Sequence, residues 1–128
     1  MPLVPTGSLV AVAAARHHAV GAFNVITLEH AEAIVAGAEA SGAGVILQLS
    51  QNAVRFHGGR MRPTAMACAA LAADAAVEVA LHLDHVEDPA LLRQAADAGF
   101  SSVMFDAGRL PYDENLSLIH ISEPTRPY

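Results

Sequence analysis

The sequence predicts an α/β fold in which parallel strands alternate with helices and the sheet curves as in a barrel, with about the first four strand–helix units present. Three observations predict it. Four apolar runs, Val20–Val25, Val45–Leu49, Glu78–Leu83 and Ser101–Phe105, are separated by stretches of helical periodicity. Strands joined by helical crossovers run parallel, with right-handed connections. Each run has one apolar parity and one mixed parity, and the polar members of the mixed parity gather at its C-terminal end. Finally, the 128 residues are half of the ~250 that a closed barrel of this type needs.

The elements follow in order. Thr6-Gly7-Ser8 can cap a helix over Leu9–Arg16, with Leu9, Val12 and Ala13 on one stripe. After the first strand, Thr27 is a good N-cap for a helix over Leu28–Ala40, whose apolar face is Leu28, Ala31, Ile34, Val35 and Ala38. Ser41-Gly42-Ala43-Gly44 stops it, and the β-branched run from Val45 reads as a buried strand. Ser50–Arg62 is expected to be a polar loop around His57-Gly58-Gly59-Arg60. Pro63 opens a third helix to about Ala75. Asp88-Pro89 starts a fourth, which Gly99 ends. Pro111–Leu116 begins a further helix. From Ser117 the apolar spacing is lost, and Pro124 and Pro127 break any helix.

Order alone fits a doubly wound sheet as well as a barrel. Parity separates them, because side chains alternate faces along a strand. Counting back from each polar end gives Ala22 and Asn24; Ile46, Gln48 and Ser50; Ala80, His82 and Asp84; Ser102, Met104 and Asp106. The opposite parity is Phe23 and Val25; Val45, Leu47 and Leu49; Leu81 and Leu83; Val103 and Phe105. A (β/α)8, or TIM, barrel requires such a pattern when its site lies at the C-terminal mouth. A doubly wound sheet wants both faces apolar.

Composition narrows the partners. At 53% hydrophobic and 16% charged residues the chain is globular. A formal charge of -6 argues against a nucleic-acid groove or an anionic membrane surface. The single cysteine, Cys68, permits no internal disulfide and reads as a buried small residue. The N-terminus has no signal-peptide pattern, and no run reaches the ~18 apolar residues that suggest a membrane span. A cytoplasmic location is expected.

The chemistry concentrates at Val79–Asp88, where an apolar strand gives way to Asp84 and His85 before a helix. An imidazole is a common zinc ligand, and a carboxylate beside a metal serves as general acid or base. Neighbours on an extended strand point to opposite faces, so both reach one site only where the strand ends, as is expected here. A surface pair in a loop is the plain alternative. His82 shares the parity of Asp84 and is expected to support it by a hydrogen bond, or else to be an interior polar residue. Asp106 closes the fourth strand as Asp84 closes the third, as a second metal position or as a turn cap. Asn24 and Ser50 lie at the same rim and suit substrate contacts. The His57-Gly58-Gly59 amides could meet an anion. His17, His18 and His30 receive no role.

At Ala22-Phe23-Asn24-Val25, Gln48-Leu49-Ser50, His57-Gly58-Gly59, Leu81-His82-Leu83-Asp84-His85 and Phe105-Asp106 the chain resembles the class II fructose-bisphosphate aldolases and their tagatose-bisphosphate relatives. The likeness runs from about Leu3 to Leu116. It implies a zinc-dependent barrel enzyme of carbohydrate metabolism and glycolysis. The reaction implied is reversible cleavage of fructose 1,6-bisphosphate, or tagatose 1,6-bisphosphate, to dihydroxyacetone phosphate and glyceraldehyde 3-phosphate. By this resemblance His85 is one of three zinc histidines and Asp84 the acid/base at the aldehyde-side hydroxyl. Asp106 matches a ligand of a second cation, divalent or monovalent. Ser50 contacts substrate and Asn24 helps place it. The sequence contains no lysine, so no Schiff base forms within it. Gly108 stands where the family usually has a serine.

The resemblance puts the other two zinc histidines and a His-Gly-x-Ser-Gly phosphate segment beyond this chain. Residues 1–116 are therefore expected to be the N-terminal half of an aldolase barrel, and residues 117–128 a non-native tail similar to translated adapter sequence. The full protein is expected to be a homodimer or homotetramer, and the isolated piece to be inactive and to have open sheet edges. The rivals are a metal-independent phosphosugar isomerase or epimerase using Asp84, and a non-catalytic fragment.

Overall fold

The computed structural model describes residues 3–122. Its elements are α1 (Thr6–Ala15), β1 (Gly21–Asn24), α2 (Leu28–Ser41), β2 (Val45–Ser50), α3 (Gln51–Phe56), α4 (Met61–Asp74), β3 (Val79–Val86), α5 (Pro89–Gln94), β4 (Ser102–Phe105) and α6 (Tyr112–Ser122). The four strands form one parallel sheet in the order β1-β2-β3-β4. Each strand lies beside its sequence neighbour. The order never reverses, as it must in a doubly wound sheet.

Along β2 and β3 the parity expectation holds on both faces. Val25, Val45, Leu47, Leu49, Val79, Leu81 and Leu83 are buried in one cluster with Ala31, Val35, Ala65, Cys68 and Ala72 from α2 and α4. That is the helix-covered outer face. On the inner face Ile46 and Ala80 pack against Leu9 of α1, which closes the N-terminal end of the sheet. The polar residues of the same parity lie further along, toward the C-terminal end.

Several boundaries differ from expectation. Helix α1 begins at Thr6 with Pro5 as N-cap and no side-chain cap. Thr6 instead reaches across to Ser101, just before β4, where its N–H and hydroxyl lie 2.9 and 3.0 Å from Ser101 Oγ. In α2, Thr27 and His30 form a capping box. His30 Nδ1 accepts from the N–H groups of Ile26 and Thr27, which gives this histidine a structural task. Gly42 ends α2 at φ 65°, a backbone conformation that favours glycine.

The expected loop after β2 contains helix α3. Ser50 is its N-cap and accepts from the N–H of Ala53 at 3.1 Å. The Gly58 and Gly59 amides donate to Arg55 O and Val54 O, so they are committed to the helix end and not offered to an anion. His57 Nε2 contacts Ile26 O, tying this segment to the loop after β1. Helix α6 continues past Leu116 to Ser122, with Asp113 and Glu114 complementing the dipole in its first turn. The expected breakers Pro124 and Pro127 lie outside the described residues.

Among the described residues β1 and β4 are the sheet edges. Phe23 was expected on the buried outer face of β1 but is 54% exposed. It lies in an apolar groove with Ile34, Gly37 and Gly44.

Cys68 is buried on α4, and desolvation pushes its thiol pKa up to about 11. At pH 8 its thiolate fraction is therefore ~10⁻³, against about a quarter for an ordinary cysteine. Native alkylation by iodoacetamide, followed by mass spectrometry, should be roughly 200-fold slower than after denaturation. Rapid native labelling would mean the helix layer opens readily. The raised value has a sign for stability: the thiol's contribution is intact below about 9 and erodes as pH climbs through 9 toward 11.

Candidate active site

The register aligns polar side chains in rows across the inner face. Asn24 pairs with Gln48, Gln48 with His82, and His82 with Ser102, one residue from each strand. One step closer to the C-terminal end, Ser50 pairs with Asp84. Within the first row Gln48 Nε2 donates to Asn24 Oδ1 at 2.9 Å, and His82 Nδ1 lies 2.7 Å from Ser102 Oγ. Asn24 keeps its amide N–H groups for other partners. Ser50, whose oxygen caps α3, keeps its hydroxyl hydrogen to donate.

Asp84 and His85 do share one site, but not because the strand ends there. Strand β3 runs on to Val86. Leu83 pairs with Val103 and Val86 with Phe105, so Asp84 and His85 together stand opposite Met104 alone. This is a β-bulge, which inserts one residue and re-aims its side chain. His85 has φ 49°, in the left-handed region that few non-glycine residues enter. The bulge turns its ring back toward its neighbour. Val86 is fully buried beyond it.

The resulting cluster is a chain of contacts. Asp84 is 6% exposed and is one of two buried polar side chains among the described residues. Its Oδ1 lies 3.3 Å from His82 Nε2, and its Oδ2 lies 3.5 Å from His85 Nε2. On the other side of the ring, His85 Nδ1 lies 3.4 Å from Asp106 Oδ2. His85 itself is 62% exposed, so the dyad pairs a buried carboxylate with an accessible imidazole. Asp106 Oδ1 accepts from the N–H of Gly108 at 3.0 Å. That backbone bond, followed by the contact with His85, holds the Asp106 carboxyl below the usual carboxylate range.

The structure thus brings His82, Asp84, His85 and Asp106 into contact, with Ser50 beside Asp84 and Asn24 one strand further out. Sequence reasoning gave no site role to Ser102, Thr6 or Gln51. Gln51 is the other buried polar side chain; its Oε1 accepts from the N–H groups of Glu87 and Asp88 at 2.8 and 2.9 Å. It pins the segment that follows the bulge. A polar cavity of about 220 Å³ opens beside His85 and Asp106, lined also by Gln51, Arg55, Glu87 and Arg109.

Among the described residues no group of three His, Cys, Asp or Glu side chains is placed to hold an ion. The surface offers one accessible imidazole with a carboxylate at each ring nitrogen. Catalytic zinc takes three protein ligands. These residues do not make a complete site.

The chain is similar to several known proteins. The family model "Fructose-bisphosphate aldolase class-II" matches residues 4–120. The chain is 38% identical over 119 residues to a Bacillus licheniformis protein named 6-phospho-5-dehydro-2-deoxy-D-gluconate aldolase, covering 92% of this chain and 41% of that one. It is equally 38% identical over 119 residues to a fructose-bisphosphate aldolase of Geobacillus stearothermophilus, covering 92% and 42%. The crystal structure of the YdjI aldolase from Escherichia coli K12 superposes with a TM-score of 0.82 at 25% identity, over 94% of this chain and 46% of that one. A fructose-bisphosphate aldolase from Campylobacter jejuni shows the same fold, with a TM-score of 0.76 over 93% of this chain and 42% of that one.

A parallel sheet whose strands are joined by helices is the α/β fold that these solved aldolases share with this chain. The chain belongs to the class II fructose-bisphosphate aldolase family. It spans less than half the length of the relatives it matches.

Proposed function

We propose that this chain supplies the front half of a zinc-dependent aldolase that reversibly splits fructose 1,6-bisphosphate, or tagatose 1,6-bisphosphate, into dihydroxyacetone phosphate and glyceraldehyde 3-phosphate. The observation that carries the reading is the bulge, which gives adjacent residues a buried carboxylate and an accessible imidazole on one face. In this reading Asp84 accepts the proton of the aldehyde-side hydroxyl as the carbon–carbon bond breaks, and returns it in the synthetic direction. His82 holds Asp84 in place. His85 is one zinc donor, and the others come from later units of the barrel. Asp106 orients His85 through Nδ1 or serves a second cation. Asn24 and Ser50 donate to substrate oxygens at the rim. Zinc, when bound, would act as a Lewis acid on the dihydroxyacetone phosphate oxygens. Residues 1–116 carry all of these groups, and the tail from 117 carries none.

A second substrate has support. The relatives named 6-phospho-5-dehydro-2-deoxy-D-gluconate aldolase reach 38–40% identity, and that substrate ends in a carboxylate where the ketose bisphosphate ends in a second phosphate. No helix among the described residues is long and apolar enough to cross a membrane. A cytoplasmic homodimer or homotetramer fits the proposal.

The test is a polypeptide carrying the whole barrel, assayed on the three substrates with and without chelator. Cleavage that chelator abolishes and zinc restores is the expected result. Cleavage indifferent to chelator would point to a metal-independent phosphosugar enzyme, and no cleavage of any of the three would sink the aldolase reading. The 128-residue chain alone should be inactive and bind zinc weakly.

A further inference from the structure

Each long crossover helix covers the strand that comes next. Helix α2 follows β1 and packs on β2; α4 follows β2 and packs on β3 and alongside α2. By the same rule α6, which follows β4, should cover a strand beside β4. Among the described residues there is none, because β4 is a sheet edge. Tyr112 and Leu116 of α6, four residues apart on one helix face, are exposed. The other edge has the matching gap. Helix α1, which precedes β1, closes the inner face instead. That leaves an apolar groove of about 340 Å³ between β1 and α2, where Phe23 is exposed beside Ile34 and Gly37. One edge carries a helix with no strand to cover, and the other a strand with no helix to cover it.

Two such sheets make a closed set. A barrel of this class has eight parallel strands and a shear of eight. The sheet here has four strands, and the chain superposes on 46% of a solved aldolase chain. Half a turn about the barrel axis sets β1 of each copy parallel to β4 of the other. Shared equally between the copies, the shear steps the register by about four residues at each half. Asn24 lies in one row with Ser102, through Gln48 and His82. A step of four therefore sets Val20 of the second copy opposite Ser102, and Gly21 and Phe23 of the second copy opposite Val103 and Phe105. Outer parity then meets outer parity, and the two strands overlap. A step the other way would set Leu28, a helical residue, opposite Ser102.

We propose that two copies of the 128-residue chain associate through β4 and β1 into a closed eight-stranded ring, with Tyr112 and Leu116 of each copy seated in the Phe23–Ile34 groove of the other. The interface is heterologous, but half a turn closes it, so both open edges are satisfied at once. The inference rests on the fold and not on the aldolase reading, and the two fail separately. A polypeptide with later strand–helix units would fill both edges from its own chain, so the experiment uses the 128-residue chain.

Sedimentation equilibrium at micromolar concentration should give twice the 13.3 kDa of one chain. A monomer throughout that range, or a ladder of ever larger species, overturns the proposal. Phe23→Asp and Leu116→Asp should each raise the dimer Kd by more than about 10-fold, because each sets a carboxylate in the apolar contact. Both side chains are exposed, so each variant should keep the far-UV circular dichroism of the parent. Mixing the two variants is decisive. A mixed ring has one intact contact and one doubly altered contact, so the mixture should recover dimer that neither variant forms alone. No recovery would mean that like surfaces meet like, and would overturn the proposal. If Leu116→Asp fails to fold, Tyr112→Ser replaces it in the same mixture.

Discussion

Asp84→Asn is expected to lower the cleavage rate of the whole-barrel enzyme by about 10²–10⁴-fold, the range that a positioned acid/base supplies. The substitution keeps the side-chain shape and leaves Oδ1 able to accept from His82, so the bulge and the row behind it persist. It removes the group that can take a proton. Zinc content should be unchanged, because the proposed metal donor is the neighbour and not Asp84. His85→Ala makes the contrast, since it should lose both metal and turnover. The pair of variants, read by steady-state kinetics and metal analysis, separates two roles that lie one residue apart. Equal loss of zinc in both would show that Asp84 is itself a ligand.

Leu83→Ala is expected to destabilise the fold by about 2–5 kcal/mol, read as a fall in urea midpoint with little change in m-value. Leu83 is fully buried on β3, which is flanked on both sides by paired strands and covered by the helix layer. Alanine leaves a void that a four-stranded sheet with strands on either side has little freedom to close. Leu110→Ala is the control. That side chain is 41% exposed, and its loss should cost within about 0.5 kcal/mol. A loss below 1 kcal/mol for Leu83→Ala would mean that the outer-face packing is loose.

Much of the architecture was legible because it follows from local pattern. Alternation along β2 and β3 told which face meets the helices, and Leu47, Leu81 and Leu83 are buried there as expected. Polar strand ends told which end of the sheet carries the chemistry. What could not be read is what depends on the partner strand. The extension of β3 to Val86 is decided by pairing with β4, and nothing near Asp84 announces it. Helix α3 was missed because it is short and sits between a strand and two glycines; its one signal, Ser50 as a cap, had been set aside for substrate. Ser102 looked like one polar residue among several on a strand. Only the register, which places it opposite His82, shows its use. Phe23 was misjudged for a related reason. Parity fixes the face a side chain takes, but an edge strand has cover on one flank alone.

The bulge in β3 also behaves as a shift of phase in the strand's two-step rhythm. Before it, odd-numbered residues, Val79, Leu81 and Leu83, face the helices; after it, even-numbered Val86 does. Deleting His85 would restore plain alternation and leave Val86 opposite Phe105 on the helix-facing side, so the outer core should survive while the accessible imidazole is lost. A scan of polar substitutions along β3 should therefore show intolerance on the helix-facing side at odd positions up to 83 and at Val86, and also at Ala80, which is buried against Leu9 and Ile46 on the inner face. Residues 84 and 85 are where the count slips, and the slip is what allows one short stretch of chain to carry a buried acid and an open imidazole side by side.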